Sequence, residues 1–256
     1  MRKINFCISV LCVFLLVSGC SGKGSAGKKT IAETDTVAVQ DTGYTGIKKF
    51  YSRNRLIKQI TFKNGVRDGE MKSFYEGGQL YQTLWYKNGL REDSATWHYL
   101  EGQVFRSTPY KHDTIDGTQR QYYRNGRIKA RINFVKGKRV PLIEEFTQDG
   151  KLVKGYPDIL YTFNDNYRTA GKFRVNLELS DKSTKVKFYR GEFINGVFDS
   201  VKCAKIKTVD GKAFLDLKKT ATPQVNSIGI IAVTITNFGN NYITYKKIEL
   251  PYKDLK

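Results

Sequence analysis

Cysteine is scarce in this 256-residue chain: Cys7, Cys12, Cys20 and Cys203 are the only four. Three lie within the first twenty positions, so the body holds Cys203 alone. No internal disulfide can form there, and the fold has to be held by burial. Cys203 sits in an alternating Val-Lys-Cys-Ala-Lys-Ile stretch, where a small buried hydrophobe is the expected reading rather than a reactive thiol. Histidine is scarcer still, with His98 and His112 only. No Cys or His spacing typical of zinc occurs. Gly-x-Ser-x-Gly, P-loop and dinucleotide fingerprints are absent. A nucleophile, a base and an orienting group cannot be named together, so the chain is expected to be no enzyme, with no cofactor and no metal. Negative charge is also short: 24 acidic residues against 44 basic ones leave a net +20, which attracts polyanions.

Long apolar runs are missing too, apart from Ile4 to Val17, which falls short of the ~18 residues a spanning helix needs. Arg2 and Lys3 precede it, and Val17-Ser18-Gly19-Cys20 closes it. This is a secretory signal layout whose small residues stop at a cysteine. It resembles the lipobox of bacterial lipoproteins. That resemblance implies removal of residues 1–19, diacylation of the Cys20 thiol and acylation (palmitate, for example) of the new amino terminus. Each buried methylene contributes ~0.8 kcal/mol, so two or three chains hold effectively permanently. The expected place is the cell envelope, lipid-anchored and outside the cytoplasm. Ser21 lacks the acidic character that retains some lipoproteins at the inner membrane, which favours the outer membrane, periplasmic or surface-facing. The expected partners are the membrane through Cys20 and a protein or an anionic lipid or glycan. Nucleic acid is not expected at that address.

Residues 20–46 are rich in Gly, Ser, Lys, Thr and Asp, and read as a flexible tether. Over 47–155 the chain repeats itself. Phe50-Tyr51, Phe74-Tyr75, His98-Tyr99 and Tyr122-Tyr123 recur every 24 residues, with Phe146 as a worn fifth. Gly78, Gly102, Gly126 and Gly150 keep the same step, with Asn54 in the first copy. Asn64-Gly65, Asn88-Gly89 and Lys136-Gly137 close each unit, with His112-Asp113 in the third. Between the turns apolar and polar residues alternate: Ile128, Ala130, Ile132 and Phe134 point one way, Arg127, Lys129, Arg131 and Asn133 the other. Each unit is therefore two short antiparallel strands that have to stack on their neighbours.

Aromatic-Tyr-x-x-Gly-x-Leu, then Tyr-x-Asn-Gly, then Asp-Gly resembles the MORN repeat, in the bacterial variant of proteins labelled as the antitoxin of a YwqK-like module. The resemblance implies an elongated, curved antiparallel sheet used for protein or membrane contact. The chain departs from it at Asn54, at Asp93 where Gly69 and Gly117 stand in sister copies, and at Pro141.

Residues 156–256 lose the 24-residue period. Phe173, Val175, Leu177 and Leu179 alternate with polar residues, and Val186 to Tyr189 reads as a strand. Asp210-Gly211 joins Ala204–Val209 to Ala213–Leu217, and Gly239-Asn240-Asn241 joins Ile228–Phe238 to Tyr242–Leu250. An antiparallel β-sandwich of immunoglobulin-like outline is expected. The whole chain is thus all-β.

His98 takes the slot of Phe50 and Phe74 and reads as a worn aromatic anchor, and His112 as a turn residue. Asp68 and Asp116 occupy equivalent positions before glycine, where a turn explains both. Of the aromatic ladder Tyr51, Phe74, Tyr75, Trp97, Tyr99, Tyr122 and Tyr123, half are expected to pack on the neighbouring repeat, and core is the expected place of any single ring. Trp85 and Trp97 are the candidate binding rings, Trp85 foremost because it opposes Leu84 and Tyr86, with Arg127, Lys129 and Arg131 as basic neighbours. The expectation is a non-enzymatic, membrane-tethered binder or scaffold, the alternative an immunity protein that sequesters a toxin.

Overall fold

Turn chemistry sets the strands. In the computed structural model, which describes residues 43–221 and 226–256, two-residue turns with both residues at positive φ join successive strands. Asn64-Gly65 (φ 51° and 77°) lies between the paired Lys63 and Val66, and Asn88-Gly89 (50° and 85°) between Lys87 and Leu90. This backbone twist matches that of the flanking strands. The expected signal, lipidated Cys20 and most of the tether lie outside the described residues.

The first sheet is built from β1 (Gly46–Ser52), β2 (Arg55–Lys63), β3 (Val66–Phe74), β4 (Leu80–Lys87), β5 (Leu90–His98), β6 (Val104–Lys111), β7 (Thr114–Ile115), β8 (Gly117–Tyr122), β9 (Ile128–Val135) and β10 (Lys138–Glu145). Their spatial order follows the chain, with β7 paired to β6 alone. Within repeats the strands are joined by three-residue loops. The Tyr75 N–H donates to the Gln79 carbonyl (2.8 Å) and Gly78 N–H to the Tyr75 carbonyl (2.9 Å), and the same pair of bonds recurs at Tyr99–Gln103 and Tyr123–Arg127. The first copy differs. Arg53-Asn54 makes a two-residue turn, and Lys49 opposes Gln59 where the repeat frame would put Lys48. The shorter turn slides β1 by one residue, and a slip of one turns every side chain over. Tyr51, 59% exposed, therefore stands apart from its sister tyrosines. Pro141 lies in the register break between Arg139 and Ile143, where β10 needs no ladder donor.

The remaining strands are β11 (Ile159–Asn166), β12 (Lys172–Leu179), β13 (Val186–Arg190), β14 (Ala204–Ile206), β15 (Thr208–Val209), β16 (Lys212–Lys218), β17 (Ser227–Ile235) and β18 (Asn241–Glu249), with a short helix α1 (Tyr167–Ala170). They form two sheets, β11-β12-β16-β15 and β14-β13-β17-β18. Phe173, Val175, Leu177 and Leu217 of the first share one buried cluster with Val186, Phe188, Ile230 and Ile248 of the second. The two sheets are thus a sandwich closed over a common core. One expectation is corrected: Ala204–Val209 is two strands. Ile206 stays in the core opposite Phe188, and the chain then crosses to the other sheet, where Thr208 pairs with Ala213.

The repeat sheet meets the sandwich at β10, which packs on β18. Glu145, fully buried, accepts hydrogen bonds from the Tyr156 hydroxyl (3.0 Å), the Thr236 hydroxyl (2.7 Å) and the Asn240 amide (2.6 Å). The Asn240 carbonyl oxygen in turn accepts from Gln121 (2.7 Å). A buried carboxylate is tolerated because three donors converge on it. Burial and the Glu145 charge push the Tyr156 hydroxyl well up, so it stays a donor. Phe198 pairs with Arg139 and covers part of the last edge of the sheet, where an open strand would invite foreign pairing.

Candidate functional site

Most of the conspicuous side chains of the repeats turn out to join one repeat to the next. The Tyr75 hydroxyl donates to the His98 carbonyl (2.6 Å), Tyr99 to Tyr122 (2.9 Å) and Tyr123 to Phe146 (2.6 Å), each bond spanning the same sequence interval. Burial raises the Tyr75 and Tyr123 hydroxyls above their ordinary value, so the donors keep their protons. A second ladder runs along the other rim. Asp68 accepts from the Asn88 N–H (3.1 Å), Glu92 from His112 N–H (3.2 Å) and Asp116 from Lys136 N–H (3.4 Å). The carboxylates that precede Gly69 and Gly117 thus pin the next turn. Arg67 over Tyr86, Arg91 over Tyr110 and Arg139 over Phe134, at 4.5–5.4 Å, form a third series.

The two faces of the sheet differ in kind. One carries Ile60, Met71, Leu84 and Ala95 in a buried cluster edged by Phe62, Tyr86 and Tyr110. Gln82 and Thr108 are buried on it as well, Thr108 accepting from Gln119 (2.9 Å). The other presents a row of polar side chains across the strands. Lys49 opposes Gln59, then come Lys72, Thr83, Thr96, Ser107, Arg120, Arg131 and Glu144 in turn. The middle of the row is hydroxyl, and cations stand on either side. Arg120 is exposed and lies directly opposite Arg131. Like charges in that position oppose folding, and of the two only Arg131 has a carboxylate beside it among the described residues, Glu144 at 3.2 Å.

Trp85 is on this polar face, between Glu70 and Glu92 of the adjoining strands, and 45% exposed. It borders a shallow groove of about 670 Å³ that Glu92, Asp93, Ser94, Tyr110 and Asp116 also line. Trp97 is a correction. It points with Ala95 toward the apolar face, is only 8% exposed, and lies under the Arg106 guanidinium at 3.9 Å. It is core, because neighbours two apart on a strand share a face. Arg127 is held at the rim, donating to the Gln148 carbonyl (3.1 Å). Lys129 is half-buried, its carbonyl accepting from Phe146 N–H (2.9 Å). Arg131 is ion-paired and lies 5.2 Å from the Phe146 ring. Trp85 and Arg131 share the polar face, while Arg127 belongs to a loop. The residue missed from sequence is Arg120. Stepping 24 residues from Thr96 would have found it.

Two segments of the chain match the MORN repeat variant, residues 67–88 and 115–136. Both open one residue before an Asp-Gly pair, Asp68-Gly69 and Asp116-Gly117. The intervening copy, with Asp93 and His112-Asp113, lies between the two matches. No curated protein matches the chain. Among the described residues no helix is long and apolar enough to cross a membrane.

Proposed function

We propose that this protein is a non-enzymatic binding or scaffold lipoprotein of the bacterial cell envelope, tethered through Cys20, whose MORN-like sheet docks a protein or an anionic envelope component. MORN repeats serve binding and scaffolding, and the two matched segments lie in this sheet. The observation that carries the reading is the polar face. Arg120 and Arg131 stand directly opposed, an arrangement that costs stability and gains from an anionic partner. A buried, hydrogen-bonded face behind it keeps those side chains on rigid strands. The lipobox-like segment supports the tether, and the net charge, +20 for the whole chain and +18 once Arg2 and Lys3 leave with residues 1–19, supports attraction to an anionic surface.

The test is crosslinking of the tagged full-length chain in its own cells, followed by mass spectrometry, alongside Arg120→Glu/Arg131→Glu. The expected result is a defined set of acidic envelope partners that the double variant loses. Retention of the same partners by that variant would refute the docking role of this face. In parallel, Cys20→Ala is expected to move the protein from the membrane to the soluble fraction. Quantitative sedimentation of that variant with membranes would sink the lipid anchor.

A further inference from the structure

The third repeat departs from its neighbours at several positions that meet in one place. In the second and fourth copies, Gly69 and Gly117 adopt φ of +110°. A Cβ on Gly69 would lie 3.1 Å from the Thr61 side chain, and one on Gly117 would lie 3.2 Å from Pro109. The equivalent pair in the third copy is Asp93 and Trp85. Asp93 keeps a left-handed backbone, at φ +57°, despite carrying a side chain, a conformation that glycine adopts without penalty. Asp93 and Trp85 line the same groove, so the third copy carries two side chains there where each sister copy has a glycine facing a smaller residue.

The groove has unengaged polar groups beside an exposed ring. The Asp93 carboxylate has no partner among the described residues. Glu92 uses Oε1 on the His112 turn and Asp116 uses Oδ1 on the Lys136 turn, which leaves the second oxygen of each. The Ser94 hydroxyl is exposed at the same recess, and Thr83 and Thr96 extend it along the polar face. Charge narrows the class of ligand. A cationic ligand would be repelled at long range by a chain of net charge +20. An anionic one would meet three carboxylates, those of Glu92, Asp93 and Asp116, against a single lysine, Lys111, in the same groove. No group of three or more His, Cys, Asp or Glu among the described residues is placed to hold a metal ion. A neutral ligand that donates many hydrogen bonds and offers a flat apolar face satisfies all of these conditions at once.

The geometry points to a glycan-binding site in the third repeat, with the apolar face of a neutral pyranose on the Trp85 indole and its hydroxyls donating to Glu92, Asp93 and Asp116. Carboxylate acceptors make the stronger class of hydrogen bond, and a flat aromatic ring supplies the stacking surface. The hydroxyls of Thr83 and Thr96 lie where a longer strand would continue. The site goes beyond the docking role proposed above, since it uses the third repeat and not the Arg120–Arg131 pair.

The test is isothermal titration of the full-length chain with neutral tetrasaccharides of N-acetylglucosamine, glucose and galactose, and with the glucosamine tetramer and oligolysine as cationic probes. At least one neutral tetrasaccharide is expected to bind. Trp85→Ala should weaken it about tenfold or more. Asp93→Gly restores the residue of the sister copies, and should weaken binding about tenfold or more through loss of a charged acceptor while melting no lower than the parent chain. Failure of every neutral tetrasaccharide to bind, or unchanged binding in Trp85→Ala, would overturn the site. Binding of the cationic probes alone would overturn it too, in favour of a cation-recognising groove. If the titration fails while crosslinked partners persist, the docking proposal stands. The reverse result would isolate the glycan site as the one true activity.

Discussion

The repeat sheet and the sandwich solve the same problem of burying β-strands in different ways. The sandwich closes two sheets over a shared core in which Phe173, Val175, Phe188 and Ile230 are 0–1% exposed. The repeat sheet leaves one face polar. It holds its other face with side chains of adjoining strands, with hydroxyl and carboxylate bonds from each repeat to the next along the rims. Stability in the first is shared through a core, and in the second it is handed from neighbour to neighbour. A sheet that does not depend on a second layer can afford to keep one broad face for other molecules.

That contrast can be broken in graded ways. The largest effect is expected from Phe188→Ala, which empties the sandwich centre and should cost about 3–5 kcal/mol. Hydrogen exchange should then show fast amides in β11–β18 and retained protection in β2–β6. Uniform loss across both regions would mean that the sheet has no stability of its own. Glu145→Ala comes next. It leaves the Tyr156, Thr236 and Asn240 donors without their acceptor, at a cost of about 3 kcal/mol, and calorimetry should resolve one transition into two. Tyr99→Phe removes one rung and should cost about 1 kcal/mol. Faster exchange should be confined to the hairpins either side of Tyr122, with the sandwich unmoved.

The smallest effect concerns pH. Lys138 on β10 donates to Asp199 in the segment after β13, and that bond holds the Asp199 carboxyl below the usual carboxylate range. A depressed folded value means that the stabilisation is complete above the unfolded value of about 3.9 and is lost as pH falls through the lower folded value. The melting curves of Lys138→Met and the parent chain should therefore differ at neutral pH and converge in strong acid. A difference that persists below that range would assign the lysine some role other than this bond.

Much of this was legible in local patterns. Asn64-Gly65 and Asn88-Gly89 demand a particular turn whatever surrounds them, and Ile128, Ala130, Ile132 and Phe134 declare their face through a period of two. The placement of Trp85 on the polar face followed from the same alternation. The misreadings all concern relations between strands. Trp97 looked available for binding because its own strand did not reveal that the Ala95 side is covered. Tyr51 looked like one more rung because the repeat spacing is kept even though its shorter turn slides the register. Ala204–Val209 alternated like one strand, yet its halves belong to different sheets. Leu160-Tyr161-Thr162-Phe163 of β11 carries no turn signal or clean alternation, and its place at a sheet edge explains why. Arg120 drew no attention until its partner across the strand was known.

By itself the sequence determined the all-β character, the repeating hairpins and the change of pattern after the repeats, because turn geometry and side-chain alternation act over two to five residues. Only the tertiary structure decided which face is covered, which cations stand opposed, which carboxylates pin a neighbouring turn and which remain open beside Trp85. Those outcomes depend on the register between strands and on how the sheet meets the sandwich at Glu145, and both are set by contacts between residues far apart in the chain.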